Sequence, residues 1–337
     1  MVNAGKLSAS VKFSEPAGRA VLADLVRWAD VVVDSLSPRA LRSLGLDEAH
    51  LREVNPDVIT LSASLFGQDG PLARLAGYGN LGAALAGFYD LTGWPDREPA
   101  GPYLAYTDYT SSHLTLLALL AALDHRRRTG EGQSIDLSQS EAALHYLSPA
   151  LLDVTVNGRV TTRRGNEDDH LAPHGVFPCA GEDQWVAIAC QDDAAWPALC
   201  ELMARPDLAA DSDLAEAAGR LGRRRELDEA VAAWTRGATP AEVQDRCQGA
   251  GVAAHTVQRS AECLADPQLL HQGHFVELEH PFRLCLVEAT RFRLARTPGR
   301  PAFRAPLLGE HTFEVLSGLL GYDEDRIADL AAAEVLE

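Results

Sequence analysis

The sequence predicts an α/β protein in two lobes, a larger one on a parallel sheet followed by a smaller α+β one. Three observations carry this. The chain has 337 residues, beyond the roughly 250–300 residues at which a single core stops growing. Two short apolar runs, "ADVVVDSL" and "VITLSAS", flank a helical stretch, and a strand–helix–strand order implies parallel pairing. Near Gly158 the texture changes to "NGRVTTRRGNEDDHLAPHG", polar, charged and glycine-containing, the composition of a linker or functional loop. On these marks residues 1–157 form the large domain and 158–174 a linker. Residues 175–297 form the small domain, and 298–337 a second linker with terminal helices.

The elements follow in order. Residues 29–36 and 58–64 read as buried strands. Between them "SPRALRSLGLDEAHLREVNPD" reads as helix, with Leu41, Leu44, Leu46 and Leu51 apolar. "FGQDGPLARLAGYGN" is glycine-rich loop, and "LGAALAGFYDLTG" a helix of small residues that permit close approach. "WPDREPAGP" is a proline-marked loop. "YTDYTSSHLTLLALLAAL" opens a long helix that ends in "DHRRRTGEGQ", where arginines complement the helix C-terminus. The strand "SIDLSQ" and the helix "EAALHYLSPALLDVTV" complete the first lobe. In the second, "VFPCAGEDQWVAIAC" is a hairpin turning at Gly181-Glu182-Asp183. "DAAWPALCELMARPDL", "ELDEAVAAWTRG" and "PAEVQDRCQGAG" are helices, and "VAAHTVQ", "HFVELEH" and "TRFRLAR" short strands. The tail from "LLGEHTFEVL" onward is helical.

Composition excludes several classes. Net charge is −18, and Lys6 and Lys12 are the only lysines. So acidic a chain repels nucleic acid and anionic membrane, which leaves room for a local basic pocket around one small anion. No apolar stretch approaches the ~18–20 residues of a membrane span. The first residues lack the apolar core of a secretory signal, so the expected location is cytoplasmic. The six cysteines lie between Cys179 and Cys285 without a C-x-x-C pair, which leaves zinc and thioredoxin chemistry unsupported. His271, His274 and His280 read as surface residues around an exposed strand, with no metal implied. A phosphate loop, a G-x-G-x-x-G following a strand and a G-x-S-x-G elbow are all absent, arguing against the chemistries they serve.

Asp108 is the acid that needs a reason. It stands just before an apolar helical run. One reading is an N-cap, with Ser111 and Ser112 helping to satisfy free N–H groups. The other is a nucleophile, whose attack on a carbonyl would be assisted by the same N–H donors. The two are compatible.

The order of segments resembles the family III CoA-transferases, the formyl-CoA and carnitine CoA-transferase group, over nearly the whole chain. The segments are "NAGK", "ADVVVDSLSPRALRSLGL", "NPDVITLSASLFGQDGP", "AGYGN", "TDYTSSHLTLLALLAALDHRRRTGEGQSIDLS", "PHGVFPCAGEDQWVAIA", "DPQLLHQGHFVELEHP" and "PLLGEHTFEVL". Its specific marks are R-x-T-G-x-G-Q at Arg127 to Gln133 and L-L-G-E-H-T at Leu307 to Thr312. The resemblance implies a Rossmann-like large domain to which residues 298–337 return, a smaller α+β domain, and an interlocked homodimer. It implies that Asp108 is the nucleophile, working through aspartyl anhydride and aspartyl-CoA intermediates. No tightly bound cofactor is implied, CoA and acyl-CoA being substrates. It places Asn3, Lys6, Leu36, Arg42, Leu44 and Tyr78 at the CoA, with Lys6 meeting a phosphate and Leu36 and Leu44 flanking the adenine.

Some positions depart from the family. Its N-F-R-P-G reads Ser35-Leu36-Ser37-Pro38-Arg39, and Ser43 stands where an arginine is expected, with Arg42 beside it. Members carry a strand-and-helix segment before N-x-x-K, where this sequence has Met1. The expectation is that the chain alone is a poor catalyst, through a start codon placed too far downstream or because a partner chain supplies that wall. Arg163 and Arg164 could hold a dicarboxylate or belong to a solvated linker. Two alternatives stand beside transfer. An α-methylacyl-CoA racemase would need a histidine where Gly77-Tyr78-Gly79 has tyrosine, and a glutamate where Gln191-Asp192 stands. A non-catalytic subunit or paralogue would not need Asp108.

Overall fold

The structure, a computed structural model, describes residues 2–299, 301 and 303–336. It divides into two compact units, Met1–Arg163 with Gly273–Glu337, and Arg164–Gln272. Residues 273–297, assigned to the small domain from sequence, therefore group with the first unit.

In the first unit, α1 (Pro16–Trp28) starts on a proline, whose fixed φ suits a first helical turn, and buries Val21 and Val26. β1 (Val31–Asp34) follows, then α2 (Pro38–Leu44) and α3 (Glu48–Val54), capped by Ser37 and Asp47. α2 stops at Gly45, whose φ of 68° suits glycine. The Asn55 amide donates to the carbonyls of Val26 and Ala29, tying the end of α3 to the end of α1. β2 (Ile59–Ser64) has Ile59 and Leu61 fully buried. Next come α4 (Gly79–Leu85), α5 (Phe88–Leu91) and the 24-residue α6 (Tyr106–Thr129). β3 (Ser134–Ser138), α7 (Gln139–Leu144), a 3₁₀ turn and α8 (Ser148–Asn157) follow. The sheet order is β1-β2-β3, parallel throughout, as the strand–helix–strand pattern required.

The R-x-T-G-x-G-Q segment has a structural reason. Gly130 closes α6 at φ 83°. A Cβ on Gly132 would lie 2.3 Å from the carbonyl oxygen of Asp57, so only glycine lets the chain pass the start of β2. Thr60 N–H then donates to the Gln133 carbonyl, setting the β2–β3 register. The cluster after the apolar run does sit in the last turn of α6, and Arg126 bonds the Asp30 carboxylate and carbonyl.

The second unit carries an antiparallel sheet of β4 (His174–Pro178), β5 (Trp185–Ala189) and β6 (Ala253–Thr256). Gly181 and Asp183 take positive φ at the hairpin turn. The helices are α9 (Ala195–Leu202), α10 (Pro206–Ala209), α11 (Ala217–Gly222), α12 (Arg224–Thr235), α13 (Pro240–Gly249), α14 (Ser260–Cys263) and α15 (Pro267–Gln272). One continuous core joins Phe177, Val186 and Ile188 of the sheet to Trp196, Leu199, Leu227, Val231 and Val243 of the helices.

The chain returns to the first unit with the hairpin β7 (Phe275–His280) and β8 (Arg283–Glu288). This corrects the strand expected at "TRFRLAR". His280 pairs with Arg283, so a two-residue turn sends "RLCLVE" straight back along β7. "TRFRLAR" also alternates, but Phe292 and Leu294 are exposed and unpaired in any sheet. After it come α16 (Thr312–Glu314), a π-helical turn (Val315–Leu319) and α17 (Glu324–Ala332). The L-L-G-E-H-T turn holds the extended N-terminal segment. Ser8 N–H donates to His311 Nδ1 and Ser10 N–H to Thr312 Oγ1.

Candidate active site

Asp108 is the third residue of α6, and Ala105 occupies the N-cap. The capping reading is thereby corrected. Asp108 N–H donates to the Ala105 carbonyl, Ser111 is buried, and the Ser112 hydroxyl donates back to the Tyr109 carbonyl. The backbone N–H of Gly79, at the start of α4, is instead the group that favours the charged form of the Asp108 carboxylate.

Two glycines make that approach possible. A Cβ on Gly79 would lie 2.7 Å from the Ala105 carbonyl. One on Gly82 would lie 2.7 Å from Thr107 Oγ1 and 2.8 Å from a Leu65 methyl. The buried Thr107 hydroxyl donates to the Gly79 carbonyl, locking the two helix starts together. Asp108 is accessible to solvent, as an attacking group must be. Partial desolvation by its surroundings nevertheless raises its pKa above the ordinary carboxylate value, against the opposing pull of the Gly79 N–H.

Three cavities of the first unit adjoin. The Asp108 cavity, about 460 Å³, includes Ser35, Ala63, Ser111 and Leu116 in its wall. Ser35 also lines a second, about 370 Å³, walled by Leu65, Phe66, Leu75 and Tyr78. Ser37 links that one to a third, about 440 Å³, lined by Pro38, Arg39, Arg42 and Arg74. The sequence of surfaces is a carboxylate, then a mainly apolar stretch, then a cluster of guanidinium groups.

The residues expected at the CoA divide accordingly. Tyr78, 81% exposed, lies on the middle cavity, and Arg42 on the third. Leu36 and Leu44, both partly buried, line none of the three; Leu36 N–H donates to Asp34. Asn3 and Lys6 hydrogen-bond each other at 3.0 Å, and they too line none of the three. Arg39 and Arg74 lie on the third cavity although sequence reasoning gave neither a role. The available signal was Arg39 standing in the N-F-R-P-G position of a glycine.

The competing site signals have structural duties. Asp192 Oδ1 accepts the N–H of Ala195 at the start of α9. Among the described residues no group of three or more His, Cys, Asp or Glu could hold a metal ion, and no helix is long and apolar enough to cross a membrane.

Comparison with known proteins then identifies the family. The model of CoA-transferase family III matches residues 1–312. Succinyl-CoA–D-citramalate CoA-transferase of Chloroflexus aurantiacus is 31% identical over 332 residues, 98% of this chain and 82% of its own length. Succinate–glutarate CoA-transferase of Agrobacterium fabrum is 31% identical over 94% of this chain and 79% of its own. A CaiB/BaiF family protein from Brucella suis superposes with a TM-score of 0.87 at 29% identity, over 94% of this chain and 82% of the other. The chain belongs to the family III CoA-transferases.

Proposed function

We propose that this enzyme moves CoA from an acyl-CoA thioester to a carboxylic acid through covalent intermediates on Asp108. The observation that carries the reading is the set of adjoining cavities, with a solvent-accessible, partly desolvated carboxylate at one end and arginines at the other.

The Asp108 carboxylate attacks the thioester carbonyl, the C–S bond breaks, and CoA leaves as thiolate from a mixed anhydride. The thiolate attacks the aspartyl carbonyl, releasing the donor's carboxylate and forming aspartyl-CoA. The acceptor's carboxylate attacks that thioester, which gives a second anhydride and thiolate. The thiolate takes the acceptor's acyl carbon and restores Asp108. No net proton moves, so no general base is required, and among the described residues no histidine lines the Asp108 cavity. Partial desolvation strips hydration from the attacking oxygen, while the nearby Gly79 N–H favours its charged form.

Several relatives are named for succinyl-CoA, which makes succinyl-CoA the first donor to test and small dicarboxylic acids the first acceptors. A cytoplasmic homodimer completes the reading. Its support is the apolar surface of α6, where Leu116, Leu117 and Leu120 are 51%, 63% and 56% exposed; a patch of this kind marks an interaction face.

Asp108→Asn should lower turnover by about 10⁴-fold or more, the scale of losing a covalent nucleophile. Hydroxylamine with acyl-CoA should convert Asp108 to a hydroxamate detectable by peptide mass. Wild-type turnover should fall on acidification at a pH above the ordinary carboxylate range, because the raised pKa leaves the nucleophile protonated there. Undiminished turnover in Asp108→Asn would remove the nucleophile.

A further inference from the structure

Four threonines lie on α6, and three of them treat their hydroxyls alike. Thr110, Thr115 and Thr129 each donate to the carbonyl four residues back, of Tyr106, Ser111 and His125, the usual resort of a hydroxyl inside a helix. Thr107 differs. It is the second residue of α6, so the carbonyl four residues back, of Tyr103, lies outside the helix. Its fully buried hydroxyl reaches instead to another helix, donating at 3.1 Å to the carbonyl of Gly79, the first residue of α4.

The start of α4 has little else to hold it. Its N-cap, Tyr78, makes no side-chain capping bond, and a glycine in the first position restrains the backbone less than any other residue. Ser140, in α7, brings a second buried hydroxyl to the same place. A Cβ on Gly82 would lie 2.7 Å from Thr107 Oγ1 and 3.0 Å from Ser140 Oγ. Ser140 Oγ nevertheless has no hydrogen-bond partner among the described residues, so of the two hydroxyls only that of Thr107 bears on Gly79.

Resting on the reading that Asp108 is the nucleophile, we propose that Thr107 is a positioning residue for the transfer reaction, whose hydroxyl, through the Gly79 carbonyl, holds the first residue of α4 beside the Asp108 carboxylate. Thr107 touches no substrate itself, being fully buried and lining none of the three cavities. It acts on the acid through residue 79, whose N–H favours the charged carboxylate against the desolvation that opposes it. With the carbonyl released, residue 79 turns more freely, its N–H spends less time near the acid, and Asp108 takes up its proton at a higher pH.

The test is the pH dependence of kcat for the full chain, with succinyl-CoA as donor and glutarate as acceptor. Thr107→Val replaces the hydroxyl with a methyl group of similar size. It should move the acidic limb of the profile up by about half to one pH unit, the scale of one hydrogen bond, and lower kcat on that limb by about three- to tenfold. The KM for succinyl-CoA should stay within about twofold of wild type. Thr107→Ala reads the same hydroxyl if the valine is not accommodated. Thr107→Ser should return the limb to its wild-type position, and Ser140→Ala should leave it there. A limb unmoved in Thr107→Val and Thr107→Ala, however far kcat falls, overturns the proposal, as does a serine variant that behaves like the valine one. Asp108→Asn, assayed alongside, separates the two readings. If it is inactive while the limb of Thr107→Val stays in place, the nucleophile stands and the positioning role falls. If it turns over normally, the nucleophile falls and the positioning role goes with it.

Discussion

The two units solve the problem of burial differently. The second is closed upon itself, one core running from its sheet through α9, α12 and α13. Its most polar buried side chain, Arg220, is 1% exposed yet donates to the carbonyls of Ala172, Leu214 and Ala215 and to Asp193. The first unit holds separate small clusters, one around Val21 and Leu316, one around Ala83 and Phe88, one around Val26 and Val58. It leaves leucines of α6 and Leu151, Leu152, Val154 and Val156 of α8 in solvent. The open one has surfaces that substrate and, on our reading, a second copy would cover.

The contrast can be broken most severely at Arg220. Arg220→Ala strands the buried carbonyls of Ala172 and Leu214 and should destabilise the protein by about 2–5 kcal/mol, at about 1–3 kcal/mol for each buried group left without its donor. Urea unfolding measures it, and a cost below about 1 kcal/mol would mean the second unit's core does not need this arginine.

A smaller effect of opposite sign is expected at Asp228, in the same unit. Burial pushes its pKa up to about 6, with Arg224 and His174 pulling it down and Glu167 pushing it further up, and Oδ1 is buried without a partner. Between about pH 4 and 6 the folded chain holds a proton that the unfolded chain has released, so this group's contribution to stability falls as pH rises through that window. Asp228→Asn should therefore stabilise the protein above about pH 6, by up to about 3 kcal/mol at roughly 1.4 kcal/mol per pKa unit. The gain should vanish below about pH 4. Equal stability of the two proteins at about pH 8 would contradict the assignment.

The mildest change to the fold sharpens the comparison from the other side. Leu117→Glu with Leu120→Glu touches side chains already in solvent and should alter the stability of a single protomer by less than about 1 kcal/mol. In sedimentation it should convert a dimer to a monomer. A mass unchanged from wild type would show that this face of α6 is not the one covered.

Much of this was legible in the sequence, and the failures are informative. Both parallel strands of the strand–helix–strand unit and the helix after Asp108 were readable, because apolar periodicity and glycine punctuation are local signals. The position of Asp108 within the helix was not, since a cap and a third helical residue differ by only a few positions. "TRFRLAR" and "RLCLVE" alternate equally well, and only the partner strand chooses between them. The hairpin of β7 and β8 was assigned by chain order to the second lobe, whereas packing groups it with the first. Leu36 and Leu44 were placed at the ligand by resemblance, yet they line none of the three adjoining cavities. Arg39 and Arg74 were invisible because an arginine's freedom depends on which carboxylates the fold brings near it.

That freedom also affects how a substrate arrives. At a distance, a polyanion such as CoA meets a body of net charge −18 and is repelled; on our reading of the cavities, at close range it meets the guanidinium groups of Arg39, Arg42 and Arg74. Dissolved ions screen the long-range repulsion and the local attraction together. Adding the first salt should therefore quicken encounters, whereas more salt loosens the complex they form. The rate of productive collisions thus depends on the ionic medium as much as on the shape of the cavity.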